Sequence, residues 1–395
     1  MRVLLLKYTS LGWEDLWQSL IALGYEVDCV EYFPRGFEED SKLEECLTQR
    51  CLEKCFDAVM SFNYFQVISK VCNHHQILYI SWVWDSPILT LYSPTVYNPC
   101  NFIFIFDKIL FQKLKKQGIN TVYHLPLAAN HIRLNQMESE IVDDDQYSAE
   151  VSFVGRLYIK RISYDSLRIS SDYNKGFLEG CMQAQTYIQG YNFLKEILTD
   201  ETINTIQEEH KFHLGDKFTG DFKQLVADVF LGVKVTQMER INTLKLLSEH
   251  FSVSLYTDDK TEMLPQLQNK GYVDYYTQMP YVFRNSKINL NISHRTIQSG
   301  IPLRVFDILG AGGFLITNYQ PELTELFVDG EDLVIYYSYM DLVEKVRYYL
   351  ANDAERCRIA RNGCRKVREQ HNYCKRLTDI FHIVGNGHQG AEDMV

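Results

Sequence analysis

Between residues 2 and 127, short apolar runs of strand length alternate with stretches of helical spacing, and this alternation constrains the fold more than any other feature. The runs fall at 2–8, 27–32, 58–62, 77–84, 102–106 and 122–127; helical patterns lie at 13–23, 43–56, 64–72 and 108–117. Gly24 and Gly118 stand where two of those helices should stop. Strands that alternate with helices build a parallel sheet covered on both faces.

A second set of strands begins at 151–155 and resumes at 253–257, 273–276, 288–292, 314–317 and 333–336. Between them, 175–249 has helical patterning without a clear strand, 354–384 reads as two terminal helices, and 385–395 is a polar tail expected to fray. The stretch 137–150 carries Asp143, Asp144, Asp145 and few apolar residues, which suits a solvated linker. A chain of 395 residues exceeds one ordinary core, so two domains are expected. The expected boundaries are 1–136, the linker 137–150, 151–370 with a helical insertion at about 175–249, and a terminal segment 371–395.

Function concentrates in SGIPLRVFDILGAGGFLITN, residues 299–318. Pro302 suits a first helical position, where its missing N–H would be an orphan anyway. Leu303, Phe306, Ile308 and Leu309 give the helix apolar faces, Gly310, Gly312 and Gly313 allow a sharp turn, and a buried strand follows. A helix N-terminus opened by Ser299, Gly300 and Ile301 and flanked by Arg295 and Arg304 is a place to hold a diphosphate. Asp307 on that helix is placed either to reach sugar hydroxyls or to pair with Arg304 at i, i+3.

Apolar residues make up 46% of the chain, enough for two cores, with 26 Tyr and 22 Phe among the residues. A formal charge of −11 argues against a nucleic-acid partner, which needs a basic face. The ten cysteines show no CxxC and no paired framework, as expected of reduced thiols in a cytoplasmic protein. No apolar run approaches the roughly 20 residues that span a bilayer, which leaves only peripheral membrane contact open. His74 with His75, and His210 with His213, lack Cys or carboxylate partners at ligand spacing, so no metal site is expected.

The sequence resembles the CgeB-like, spore-maturation type of glycosyltransferase. The resemblance rests on LNISHR, GIPLRVFDILGAGGFLITNY, PELTELFVDGEDLVIY and DLVEKVRYYL within 288–350, and on RIARNGCRKVREQHNY near the end. YISWVWDSP and HLPLAAN are similar to the companion N-terminal domain of that family. The resemblance implies an α/β protein of the GT-B fold: two Rossmann-like domains facing a cleft, with the terminal helix packing back toward the first. It implies Asp307 as the ribose-binding carboxylate, and Gly155, Arg156 and Arg161 in VSFVGRLYIKR as phosphate binders. Related retaining enzymes carry a glutamate eight residues before this carboxylate; Ser299 stands there, so stereochemistry is not carried over.

In such a protein the first domain should hold the acceptor and a base. Asp85 follows a strand in WVWDSP and is the candidate base, its alternative being a turn residue capping its own loop. Asp107 precedes a helix and reads as an N-cap. Trp82, Trp84 and Tyr92 are candidates for a sugar platform or for core packing. His294, beside Arg295, is a second catalytic candidate able to donate a hydrogen bond to phosphate or substrate. The expectation is a metal-independent transferase moving a sugar from a nucleoside-diphosphate sugar to a protein or glycan acceptor, with no cofactor besides that co-substrate. A nucleotide-sugar epimerase of the same fold and a non-catalytic nucleotide-sugar-binding protein are the alternatives.

Overall fold

The computed structural model describes residues 1–8, 11–33, 39–138, 144–159, 164–210 and 219–392. The chain divides into two compact units, Met1–Glu138 with Leu214–Gly220 and Arg368–Val395, and Ser139–His213 with Asp221–Val367.

The first unit is built on β1 (Arg2–Lys7), β2 (Glu26–Glu31), β3 (Ala58–Phe62), β4 (Leu78–Val83), β5 (Asn101–Ile105) and β6 (Val122–His124). They form one parallel sheet in the order β2-β1-β3-β4-β5-β6. Every residue of β3 and β5 is buried, because helices cover both faces of the sheet. The edge strand β2 instead carries exposed charge, with Glu26 paired to Arg2 at 2.7 Å and Glu31 to Lys7 at 3.0 Å, which discourages further strand pairing. One core gathers Leu4, Val59, Ile68, Tyr79 and Ile103. The terminal helix Tyr373–Glu392 belongs to this unit: Tyr373 packs edge-on to Trp82 at 5.3 Å, and Phe381 stacks on Tyr25 at 4.3 Å. An ion pair from Arg133 Nε to Oδ1 of the buried Asp15, at 2.7 Å, ties the helix Trp13–Ala22 to His131–Glu138.

The second unit is built on β7 (Val151–Val154), β8 (Val253–Tyr256), β9 (Gln268–Asn269), β10 (Ile288–Asn291), β11 (Leu315–Asn318) and β12 (Val334–Tyr336). These form a second parallel sheet, ordered β12-β11-β10-β7-β8-β9. Helices at Asp172–Gln185, Asp200–Glu209 and Val233–Ser248 lie between β7 and β8, and a second core of Tyr164, Leu178, Met182, Ile206 and Leu231 holds that stretch together.

Four expectations change. Residues 273–276 do not form a strand, because the Asp274 carboxylate accepts from the backbone N–H of Tyr276 and Thr277 and turns the chain. Pro302 is the residue before the helix Leu303–Gly310 and not its first, since its ψ of 152° is extended. The helix Tyr373–Glu392 runs on through Gly385, Gly387 and Gly390 despite their low helix propensity. Of the expected linker, Met137 is buried at the end of the helix His131–Glu138, 139–143 lie outside the described residues, and Asp144–Tyr147 form a helical turn.

Gly363, in the helix Asp353–Gln370, is a tight point of the second unit: a Cβ there would lie 2.2 Å from the Asp332 carbonyl oxygen and 2.8 Å from Leu309 Cδ2. Gly363→Ala is therefore expected to destabilise this unit by about 1–3 kcal/mol, the usual effect of overpacking. Denaturant unfolding measures it, and an unchanged midpoint would place that helix elsewhere.

Candidate functional site

In the second sheet the chain leaves β7 toward β8 on one side, while β10 lies on the other. The carboxyl ends of β7 and β10 thus flank a switch point, where open parallel sheets take ligands. Gly155 and Arg156 follow β7; Ser293, His294 and Arg295 follow β10. Two asparagines order the strand ends. Asn291 donates to Thr317 Oγ1 at 2.9 Å, and Asn318 Oδ1 accepts from the Ser293 N–H at 2.8 Å.

His294 is buried. Its Nδ1 accepts from the Thr296 backbone N–H at 3.3 Å and lies 2.8 Å from Thr296 Oγ1, so in the neutral ring the proton sits on Nε2. The Tyr158 ring packs edge-on to it, at 5.0 Å. Arg156 is exposed, with Asp258 at 3.8 Å. Arg161 lies outside the described residues.

Arg295 corrects an expectation. Its side chain turns into the protein, pairing with the Glu239 carboxylate through Nη2 and Nε and donating to the Ile188 carbonyl at 2.9 Å. Both partners are almost fully buried, so in this arrangement the guanidinium serves the unit's interior and not a diphosphate. Burial pushes the Glu239 carboxyl up from its ordinary value, and Arg295 pulls it back down. A cavity of about 30 Å³, room for one water, lies beside Glu239 against Thr243, Asn318, Tyr336 and Tyr339.

The helix Leu303–Gly310 begins after a buried loop. Ser299 Oγ lies 2.7 Å from the Glu322 carboxylate, and the Ser299 carbonyl accepts from the Glu322 N–H at 3.1 Å, which fixes the approach to the helix. Gly300 and Ile301 are buried with it. Asp307 is 8% exposed; it accepts from Tyr275 Oη at 3.1 Å and lies 3.5 Å from Arg304 Nη1. The i, i+3 pair foreseen for Asp307 thus forms. Arg304 also lies over the Phe283 ring, at 5.3 Å.

Sequence reasoning missed Arg240, on the helix Val233–Ser248. Its Nη1 donates to the Arg156 carbonyl at 2.5 Å and its Nη2 to the Ile292 carbonyl at 2.9 Å, joining the loops after β7 and β10. The guanidinium lies over Phe153 and Tyr158, and Nη1 would be 3.8 Å from a Cβ at Gly155. No local signal marks it in the sequence, since Arg240 is one of several polar residues in the helix Val233–Ser248.

The first sheet has its own switch point, between β1 and β3. Asn63 stands there in the left-handed region, at φ 54°. Its Nδ2 donates to Tyr8 Oη at 2.8 Å and to Asp85 Oδ2 at 2.7 Å, while its Oδ1 accepts from the backbone N–H groups of Trp84 and Asp85. Burial, reinforced by the Asp85 charge, raises the Tyr8 phenol above its ordinary range. Asp85 is exposed, not partly buried as the base reading supposed, because the loop after β4 carries it beyond the packed strand ends. Trp84 stacks on Phe62 at 4.3 Å and covers Gly12, whose φ of 78° and lack of a Cβ let the ring approach. Trp82 is a core residue and Tyr92 is half-buried. Asp107 caps the helix Lys108–Lys116 through the Leu110 N–H.

Among the described residues no group of three or more His, Cys, Asp or Glu side chains is placed to hold a metal ion, and no helix is long and apolar enough to cross a membrane. A sequence search of curated proteins finds no match. Residues 240–382 match the model of a family described as glycosyl transferase-like. Among solved structures, HepE of Anabaena in complex with UDP and glucose is similar at 10% identity and a TM-score of 0.56, covering 98% of this chain and 100% of its own. A glycosyltransferase from Rickettsia africae ESF-5 is similar at 8% identity and a TM-score of 0.53, covering 98% of each chain. At such identities the likeness is one of fold: the two parallel six-stranded α/β sheets match the GT-B fold of these structures, and the match to the glycosyl transferase-like model runs from Arg240 through β8 to β12 into the terminal helix.

Proposed function

We propose that this protein is a glycosyltransferase, of the CgeB-like type, that moves a sugar from a nucleoside-diphosphate sugar to a hydroxyl on a protein or glycan, without a divalent metal. The observation that carries the reading is the coincidence of two facts. The glycosyl transferase-like match covers β10, β11 and the helix Leu303–Gly310, and this is where a switch point gathers Gly155, Arg156, His294 and, on the neighbouring helix, Arg304 and Asp307. HepE, similar in fold, is solved with UDP and glucose, which favours a uridine nucleotide as the first to try.

Sugar transfer leaves a diphosphate with added negative charge, and catalysis requires that this charge be held better in the transition state than in the bound donor. Backbone N–H groups at the start of the helix Leu303–Gly310, with Arg304 and Arg156, are suited to that task. His294 Nε2–H adds a donor. Asp307 takes the ribose hydroxyls, with Tyr275 and Arg304 holding its carboxylate in place. The first unit takes the acceptor, and Asp85 removes the proton of the attacking hydroxyl. The ten free cysteines suit a reducing compartment such as the cytoplasm.

Asp307→Ala tests the ribose assignment. UDP and uridine should both bind more weakly, by about 1.5–3 kcal/mol for a charge-assisted hydrogen bond, while pyrophosphate binding is kept. Calorimetry measures all three, and unchanged uridine affinity would leave Asp307 as the partner of Arg304 alone.

A further inference from the structure

Several positive charges of the second unit are paired with carboxylates. Arg295 has Glu239, Lys234 has Asp165 at 2.6 Å, Arg304 has Asp307 at 3.5 Å and Arg156 has Asp258 at 3.8 Å. Arg240 differs from these four: among the described residues no carboxylate lies within ion-pair distance of it. Glu239, its neighbour in sequence, is engaged by Arg295. Two of its N–H groups go to neutral carbonyls, those of Arg156 and Ile292, and its Nε is buried with no hydrogen-bond partner. Burial is the largest influence and disfavours the charged form; Tyr158 and, more weakly, Glu239 favour it, while Arg304 opposes it. A guanidinium does not escape by losing its proton at ordinary pH, so the charge stays, with no carboxylate of its own in contact. Burying a charge in this way is costly unless something of opposite sign completes the site.

The place is specific. Both carbonyls that hold Arg240 belong to residues just past the strand ends, Arg156 after β7 and Ile292 after β10. The guanidinium is therefore pinned at the switch point, against Gly155, which has no side chain of its own between the strand end and Arg240.

We propose that Arg240 is an anion-holding residue of the second unit, its guanidinium supplying the counter-charge for the diphosphate of the bound nucleotide. This rests on the reading of a nucleoside-diphosphate donor. It adds to that reading the residue that takes the diphosphate charge, and it explains why Arg295 can be committed to the interior. The bonds to the Arg156 and Ile292 carbonyls give Arg240 a structural role too, so the test must separate the two.

Arg240→Gln removes the charge and keeps a donor of similar reach. Three probes are titrated calorimetrically into the wild-type protein and the variant: inorganic pyrophosphate, UDP and uridine. Pyrophosphate and UDP are expected to lose affinity by about 10–100-fold, the equivalent of a charge-assisted hydrogen bond, while uridine is unchanged. The melting temperature of the unliganded variant is measured beside these: a fall reports the lost carbonyl bonds, which would weaken all three probes alike, whereas the proposal requires the loss on pyrophosphate and UDP with uridine spared. Arg240→Lys, which keeps the charge but not the planar fork, serves if the glutamine variant does not fold, and should lose UDP affinity with uridine unchanged. Equal losses for uridine and UDP, or unchanged pyrophosphate and UDP binding, would overturn the proposal. So would a wild-type protein that binds neither anion. Pyrophosphate binding that depends on Arg240, without UDP binding, would uphold Arg240 and remove the uridine nucleotide.

Discussion

Asp85→Asn is expected to lower turnover by about 10²–10⁴-fold, the usual contribution of a general base, while nucleoside-diphosphate affinity is almost unchanged. The substitution is nearly isosteric, and the surrounding network tolerates it. Asn63 Nδ2, now bonded to Asp85 Oδ2 at 2.7 Å, needs an acceptor, which the new amide provides through its oxygen. The backbone bonds from Trp84 and Asp85 to Asn63 Oδ1 do not involve the altered group. The proposed donor-binding residues belong to the second unit, so a change at residue 85 should not reach them. Initial rates at saturating donor, beside UDP calorimetry, measure both. A full rate would move the base elsewhere, and His294 would be examined next; Asp107, as the cap of its helix, is already committed.

Glu239→Ala should cost the second unit about 3–5 kcal/mol, the usual consequence of removing one partner of a buried ion pair. Arg295 would remain, 7% exposed, with its charge unanswered and its guanidinium left with the Ile188 carbonyl. Replacing both partners, Glu239→Leu with Arg295→Met, should be far less damaging, because no charge is left stranded. All four tryptophans, at 13, 17, 82 and 84, lie in the first unit, so their emission is an internal reference. Far-UV dichroism should show an earlier loss of structure in Glu239→Ala, recovered in large part by the double variant. A single variant as stable as the wild type would show that the pair is not buried as described.

The sheets were legible in the sequence because buried parallel strands are short, continuous apolar runs, and helices with an apolar face separate them. The run at 273–276 misled because Tyr275 and Tyr276 look like strand residues, whereas the decisive group is the turn-forming carboxylate of Asp274. The site was legible only in part. The spacing of local motifs was enough to set Gly155 after a strand and Arg304 and Asp307 on one helix, as the structure has them, but not to assign their roles. Arg295 looked equally suitable, but its side chain belongs to Glu239, 56 residues away, and such a pairing leaves no local trace. Arg240 and Asn63 were missed for the opposite reason. A charged residue in a helix and an asparagine after a strand are ordinary in sequence, and only the sheet topology sets each at a switch point.

The account stands or falls on donor turnover. The protein is incubated with a panel of nucleotide sugars, beginning with UDP-glucose, in the presence of excess EDTA, and release of the nucleoside diphosphate is followed with and without polysaccharide and glycoprotein acceptors. One donor is predicted to give acceptor-dependent release that survives the chelator, is lost in Asp85→Asn and requires higher donor concentration in Asp307→Ala. Tight binding of a nucleotide sugar without release under any acceptor, or release that vanishes with EDTA and returns with Mg²⁺ or Mn²⁺, would contradict it.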